Sequence, residues 1–201
     1  MAFKYLNENC SAEIIVNKST FIAYLYCVST KQDVKNILEH LKQQHPKANH
    51  YCYGYLLDNN RTQKYSDDSE PAKTAGFPIL DVLKKNNIDE CLAVVVRYFG
   101  GIKLGAGGLT RAYRSAITNV LSKTILVEKI EVPVYHLTVD YHINDETKDF
   151  LDKNCILLNT TYNENVVYEF YCFNESIPKK ISDLTKGQKA SIVKYIKVVN
   201  P

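Results

Sequence analysis

One stretch of this chain constrains its fold more than any other. Residues 92–98, Leu-Ala-Val-Val-Val-Arg-Tyr, form an apolar strand suited to a central position in a sheet. Just beyond it, residues 100–108 read Gly-Gly-Ile-Lys-Leu-Gly-Ala-Gly-Gly, five glycines in nine positions. Then Leu109, Ala112, Tyr113, Ala116, Ile117, Val120 and Leu121 recur at the spacing of one helical face. The order is therefore buried strand, glycine loop, amphipathic helix. Glycine at this density costs chain entropy, and it implies positive φ angles or close backbone approach to a ligand. The loop feeds a helix N-terminus, where free N–H groups and the positive end of the dipole suit an anion.

Charge sharpens that expectation. There is no Asp or Glu between Cys91 and Val127, whereas Arg97, Lys103, Arg111, Arg114 and Lys123 are basic. Arg111 falls in the first turns of the helix, where the dipole disfavours a cation unless an anion offsets it. The candidate anion or nucleic-acid site is thus Arg97, Gly100, Gly101, Lys103, Gly105, Gly107, Gly108, Arg111 and Arg114, with the Gly107 and Gly108 amides on one phosphate. The alternative is a packing device with solvated arginines. The segment is not a standard nucleotide fingerprint. It ends Gly108-Leu109-Thr110 rather than Gly-Lys-Ser/Thr, and Thr110 stands where GxGxxG needs its third glycine.

An acidic run, Ser66-Asp67-Asp68-Ser69-Glu70-Pro71, precedes a second helix. Asp68 and Glu70 are the candidate catalytic carboxylates, as base or Mg²⁺ ligand, with His50 and Asp67 as accessories. The plainer reading is a solvated loop that caps a helix and balances Arg97 or Arg111. Tyr51, Tyr53 and Tyr55 alternate along one strand face. Tyr53 could stack bases beside a basic groove, or the ladder could be core.

Composition excludes several classes. With 201 residues, 45% hydrophobic and 23% charged, the chain can bury a core as one large or two small domains. Six cysteines without a CxxC pair argue against zinc. Cys52, Cys91 and Cys172 lie in strand-like runs and read as small core residues of a reducing compartment. No metal or cofactor is expected. The N-terminal residues lack a signal-peptide core, and no apolar run is long enough for a membrane span, so a cytoplasmic protein is expected.

Along the chain, residues 12–28 read as two strands about Asn17-Lys18-Ser19. Thr30 caps a helix that Pro46 ends. Residues 50–57 alternate as a strand, 61–73 read as a long polar loop, and 74–85 as a helix. Residues 128–133 read as a linker. Beyond it come a strand at 134–141, a helix capped by Asn144, a hairpin about Asn163-Glu164-Asn165, a helix opened by Ser176 and Pro178 and stopped at Gly187, and a strand at 191–199. That βαββαβ order is the ferredoxin-like pattern.

The runs Ser66–Pro71, Thr74-Ala75-Gly76-Phe77-Pro78-Ile79-Leu80, Val96-Arg97-Tyr98-Phe99-Gly100-Gly101-Ile102-Lys103-Leu104-Gly105 and Gly107-Gly108-Leu109-Thr110-Arg111-Ala112-Tyr113 resemble the signature of the YigZ/IMPACT family. So do Lys18-Ser19-Thr20-Phe21-Ile22 and Asn49-His50. Ser69 and Lys73 stand where the family usually has glycine, and Ala106 where it usually has threonine. The resemblance implies an α+β protein of two domains. Residues 1–130 would be a ribosomal-protein-S5-domain-2-like α/β domain, and 131–201 a ferredoxin-like domain similar to the last domain of elongation factor G. The family's eukaryotic members regulate translation through a partner of a stress kinase. The functional expectation is a non-enzymatic, translation-linked protein that binds RNA, the ribosome or another phosphate-bearing partner. The alternatives are an enzyme acting on a small phosphorylated substrate and a protein–protein adaptor.

Overall fold

The computed structural model describes residues 3–200. The chain divides between Glu128 and Lys129 into two compact units. The first contains β1 (Lys4–Leu6), β2 (Cys10–Val16), β3 (Ser19–Cys27), α1 (Lys31–Gln44), β4 (His50–Leu57), β5 (Thr62–Ser66), α2 (Gly76–Lys85), β6 (Cys91–Tyr98) and α3 (Gly105–Leu121). Its sheet has the order β2-β3-β6-β4-β5, and every neighbouring pair is antiparallel.

The apolar run does occupy the centre. Side chains from Cys91 to Val96 are fully buried, and the strand alternates between two cores. Ala93 and Val95 face the core shared with α2 and α3. Leu92, Val94 and Val96 face the core shared with α1. β4 divides in the same way, with Cys52 and Leu56 toward the first core and Tyr51, Tyr53, Tyr55 and Leu57 toward the second. Gly54 lies on the first face, where a Cβ would stand 3.0 Å from the Leu80 backbone, so its lack of a side chain lets α2 approach the sheet. α1 starts at a reciprocal cap. Thr30 Oγ1 accepts from Asp33 N–H at 3.1 Å, and Asp33 Oδ2 accepts from Thr30 N–H at 2.8 Å.

The polar stretch 61–73 is not all loop. Residues 62–66 form β5, paired with β4 at the sheet edge. Tyr65 alone of the five is apolar, so no alternation shows in the sequence. Its ring packs edge-on against Phe77, with centroids 5.9 Å apart.

The second unit contains β7 (Leu126–Val139), whose first residues belong to the preceding unit, α4 (Asn144–Asn154), β8 (Ile156–Tyr162), β9 (Val166–Tyr171), α5 (Ile177–Leu184) and β10 (Ser191–Val199). The sheet order β10-β7-β9-β8, antiparallel throughout, is that of a ferredoxin-like βαββαβ domain. The chain is thus a two-domain α+β protein. Residues 128–133 are strand rather than linker. Glu128 pairs with Lys4 of β1, and residues 129–133 pair with β10. Pro133 is tolerated because β9 begins to pair only at Val134, which leaves that edge free at the proline. Asn144 does not cap α4, because a turn at Tyr141–Ile143 precedes it. Its Oδ1 instead accepts from the Tyr168 hydroxyl at 2.7 Å. Cys52, Cys91 and Cys172 are buried free thiols. Among the described residues no helix is long and apolar enough to cross a membrane.

Gly54→Ala should lower stability by about 1–3 kcal/mol through overpacking against α2, read as a lower urea midpoint with unchanged slope.

Candidate functional site

The strand ladder sets up the site. Arg97 is directly opposite Phe21 on β3 and His50 on β4, so these three side chains form one row on the sheet face that α3 covers. By the alternation of β6, Arg97 follows Ala93 and Val95 onto the core face. A guanidinium there is 4% exposed and needs a counter-charge. Glu70 supplies it. Arg97 Nη1 lies 2.5 Å from Glu70 Oε1, and the same oxygen accepts from the Tyr113 hydroxyl at 2.7 Å. His50 Nε2 is 3.8 Å away from it. The guanidinium also lies 5.3 Å from the Phe21 ring centroid and 5.6 Å from that of Phe99. Its Nε has no hydrogen-bond partner among the described residues.

Tyr113 comes from the apolar stripe of α3 and is fully buried, edge-on to Phe21. Burial holds its hydroxyl proton on well above the usual tyrosine range, so it remains a donor to Glu70. Cys52 Sγ is 3.3 Å from that hydroxyl and 3.0 Å from the Asp67 carbonyl, and burial pushes its thiol up as well.

The acidic run folds around this pair. Asp67 Oδ1 accepts the N–H groups of Ala75 and Gly76 at 3.0 and 2.8 Å, and its Oδ2 accepts that of Lys73 at 2.8 Å. Asp67 thereby caps α2, which has no cap from its own N-cap residue, Ala75. Asp68 Oδ2 accepts from Tyr51 N–H at 2.7 Å, and the Asp68 carbonyl is 2.8 Å from His50 Nδ1. Ser69 and Lys73 adopt φ of 68° and 61°, as glycine does readily at such positions.

The glycine segment is shorter as a loop than its composition suggests, because α3 begins at Gly105. Gly105, Gly107 and Gly108 thus lie in its first turn. The N–H groups without an intrahelical acceptor are those of residues 104–107, one position earlier than the Gly107–Gly108 pair. None of the four donates within the described chain. Gly108 packs on Leu104 instead. At Gly100 a Cβ would lie 1.9 Å from the Lys18 carbonyl oxygen, so only glycine fits. Its N–H donates to Ser19 Oγ at 3.2 Å, and Arg97 Nη2 lies 3.4 Å from the same oxygen. Gly101 and Gly105 have φ of 86° and 65°.

These elements enclose a cleft of about 350 Å³. His50, Glu70, Pro71 and Arg97 line its inner part, and Phe99, Lys103, Leu104, Gly105, Ala106 and Leu109 complete it. The fold brings the acidic and glycine-rich segments together there, but three sequence candidates lie elsewhere. Arg114 Nη1 is tied to Asp81 Oδ2 of α2 at 2.7 Å. Tyr53 belongs to the core on the opposite sheet face and stacks on Tyr55. Asp68 is turned onto the Tyr51 amide. Arg111 is exposed on α3, its Nη1 3.6 Å from where a Gly107 Cβ would be. Ser19 and Tyr113 are the members that sequence reasoning missed as site residues. Their signals were a polar atom on an otherwise apolar face and a place in the runs that resemble the family signature. Among the described residues no group of His, Cys, Asp or Glu is arranged to hold a metal.

Glu70→Ala strands a buried guanidinium and should cost about 3–5 kcal/mol in chemical unfolding. Ser69→Gly and Lys73→Gly each relieve a left-handed residue at the expense of a more flexible unfolded chain. Each should raise stability by about 0.5–1 kcal/mol in the same assay.

The Impact N-terminal domain matches residues 17–121 of this chain. The IMPACT family member YvyE of Bacillus subtilis (strain 168) is 39% identical over 181 residues, which cover 88% of this chain and 83% of that protein. The IMPACT family member YigZ of Escherichia coli (strain K12) is 37% identical over 130 residues, 63% of this chain and 64% of that protein. A crystal structure of a hypothetical protein superposes with a TM-score of 0.72 at 28% identity, covering 96% of this chain and 98% of that one. A shared N-terminal domain and a relative matched across most of both chains place this chain in the IMPACT family.

Proposed function

We propose that this protein is a translation-linked binding protein that holds a phosphate-bearing partner, RNA or the ribosome, at the mouth of the Arg97–Glu70 cleft. One observation carries the reading. The carboxylates of the acidic run are turned onto protein donors, namely backbone amides for Asp67 and Asp68 and Arg97 with Tyr113 for Glu70. Lys103 lines the cleft beside the unpaired amides of the first turn of α3, and Arg111 lies exposed nearby. The groups that remain to meet a ligand are therefore cationic or N–H donors, which suits phosphate oxygens. The buried ion pair fixes the cleft wall rather than contributing net charge. The link to translation rests on the resemblance to the eukaryotic members of the family.

The test is RNA and ribosome binding across a salt series. Lys103→Ala/Arg111→Ala should weaken binding at low salt and flatten the dependence of log K on log salt by roughly one for each cation removed. Arg114→Ala, whose guanidinium is tied to Asp81, should leave the slope unchanged. Absence of binding at low salt, or equal losses in the two variants, would overturn the proposal.

A further inference from the structure

We propose that Cys155 and Cys172 form a reversible thiol–disulfide site, oxidised by small neutral hydroperoxides, in the ferredoxin-like domain. It is independent of the cleft in the first unit. β8 and β9 pair antiparallel with Ile156 opposite Tyr171, so the next step along the ladder sets Cys155 opposite Cys172. Cys155 is already extended there, at φ −132° and ψ 168°, as the residue that ends α4. Directly opposed residues in such a pair have Cα atoms about 4.5–5.5 Å apart, inside the range a disulfide spans. The two also face the same way, since Cys172 belongs to the core beneath α4 and α5 and Cys155 packs against it.

The two thiols interact directly as reduced groups. Their mutual contact lowers the Cys172 thiol below its ordinary value, while the same contact and burial raise that of Cys155. Cys172 is the attacking thiol of this proposal and Cys155 the resolving one, because the adjoining cleft opens on Cys172. Cys155 is the more exposed of the two thiols, but the adjoining cleft opens on Cys172. Cys172 lines a cleft of about 490 Å³ with Pro133, Tyr135, Phe173 and Tyr195, and Cys155 does not. Glu131 and Glu175 also line that cleft, which contains no Lys or Arg. Apolar walls with two carboxylates disfavour an anionic disulfide such as oxidised glutathione and admit a neutral hydroperoxide.

The chemistry balances in two steps. The Cys172 thiolate attacks the outer peroxide oxygen, the O–O bond breaks, and Cys172 becomes a sulfenic acid. The alkoxide or hydroxide that leaves takes up a proton. The Cys155 sulfur then attacks the Cys172 sulfur and displaces the hydroxyl as water, with the Cys155 proton. Two thiols lose two electrons, and the hydroperoxide gains them.

The other thiols make the comparison demanding. Cys27 is exposed and lies opposite Cys91 across β3 and β6. Cys91 is completely enclosed, and burial pushes its thiol up. The full chain should therefore be treated with substoichiometric hydrogen peroxide, alkylated and mapped by peptide mass. The expected result is loss of the Cys155 and Cys172 thiols together, a cross-linked peptide lighter by two hydrogens, and recovery of both on reduction with dithiothreitol. In Cys155→Ser, Cys172 should stop at a sulfenic acid that dimedone captures. The Cys27→Ser variant should oxidise like the parent. Oxidation that begins at Cys27 or joins Cys27 to Cys91, retention of alkylatable Cys155 and Cys172, or absence of a dimedone adduct at Cys172 in Cys155→Ser would each overturn the proposal.

Discussion

A carboxylate enclosed between a guanidinium and a phenol hydroxyl organises the first unit of this protein. Glu70 enters from the acidic run, Arg97 from the central strand and Tyr113 from the helix that covers it. Each group would be costly alone in a core. Together they satisfy one another, and they fasten three segments far apart in sequence. The other contacts of the site follow from that anchorage. Asp67 and Asp68 can reach the α2 amides and the Tyr51 amide because Glu70 holds the loop against the sheet. Gly100 can pass against the Lys18 carbonyl because Ser19 bonds both the Gly100 amide and Arg97.

This arrangement gives the glycine-rich segment a more specific role than its composition implied. Its glycines do three separate jobs. Gly100 allows two backbones to touch, Gly101 and Gly105 take positive φ, and Gly108 lets the first turn of α3 seat on Leu104. The result is a helix entrance with unused amides, beside a lysine, above a neutralised ion pair. The acidic loop makes similar demands. It holds left-handed backbone at Ser69 and Lys73 without the glycines usual in the family, and three amides donated to Asp67 help to hold it in shape.

Much of the architecture was legible in the residues. The buried strand, the helical stripe of α3, the Thr30 cap and the βαββαβ order all rest on short-range periodicity and capping chemistry, which act within a few residues. The errors fall where that signal is weak. β5 shows no alternation because it is an edge strand with one apolar residue packed inward. Residues 128–133 resemble a linker because charges alternate with aliphatic residues about a proline, yet that alternation is also compatible with a two-sided strand. Asn144 has cap chemistry, but Tyr168 claims its side-chain oxygen from across the domain.

By itself the sequence determined most of the strands and helices, the absence of acidic residues across the glycine segment, and the signature that marks the family. Only the tertiary structure decided which charges are left for a partner. Five cations stand in one run of sequence, yet Arg97 faces Glu70 and Arg114 faces Asp81, whereas Lys103 lines the cleft and Arg111 lies exposed. Spacing along the chain cannot reveal this, because pairing depends on which strand face a side chain occupies and which distant carboxylate the sheet brings opposite it.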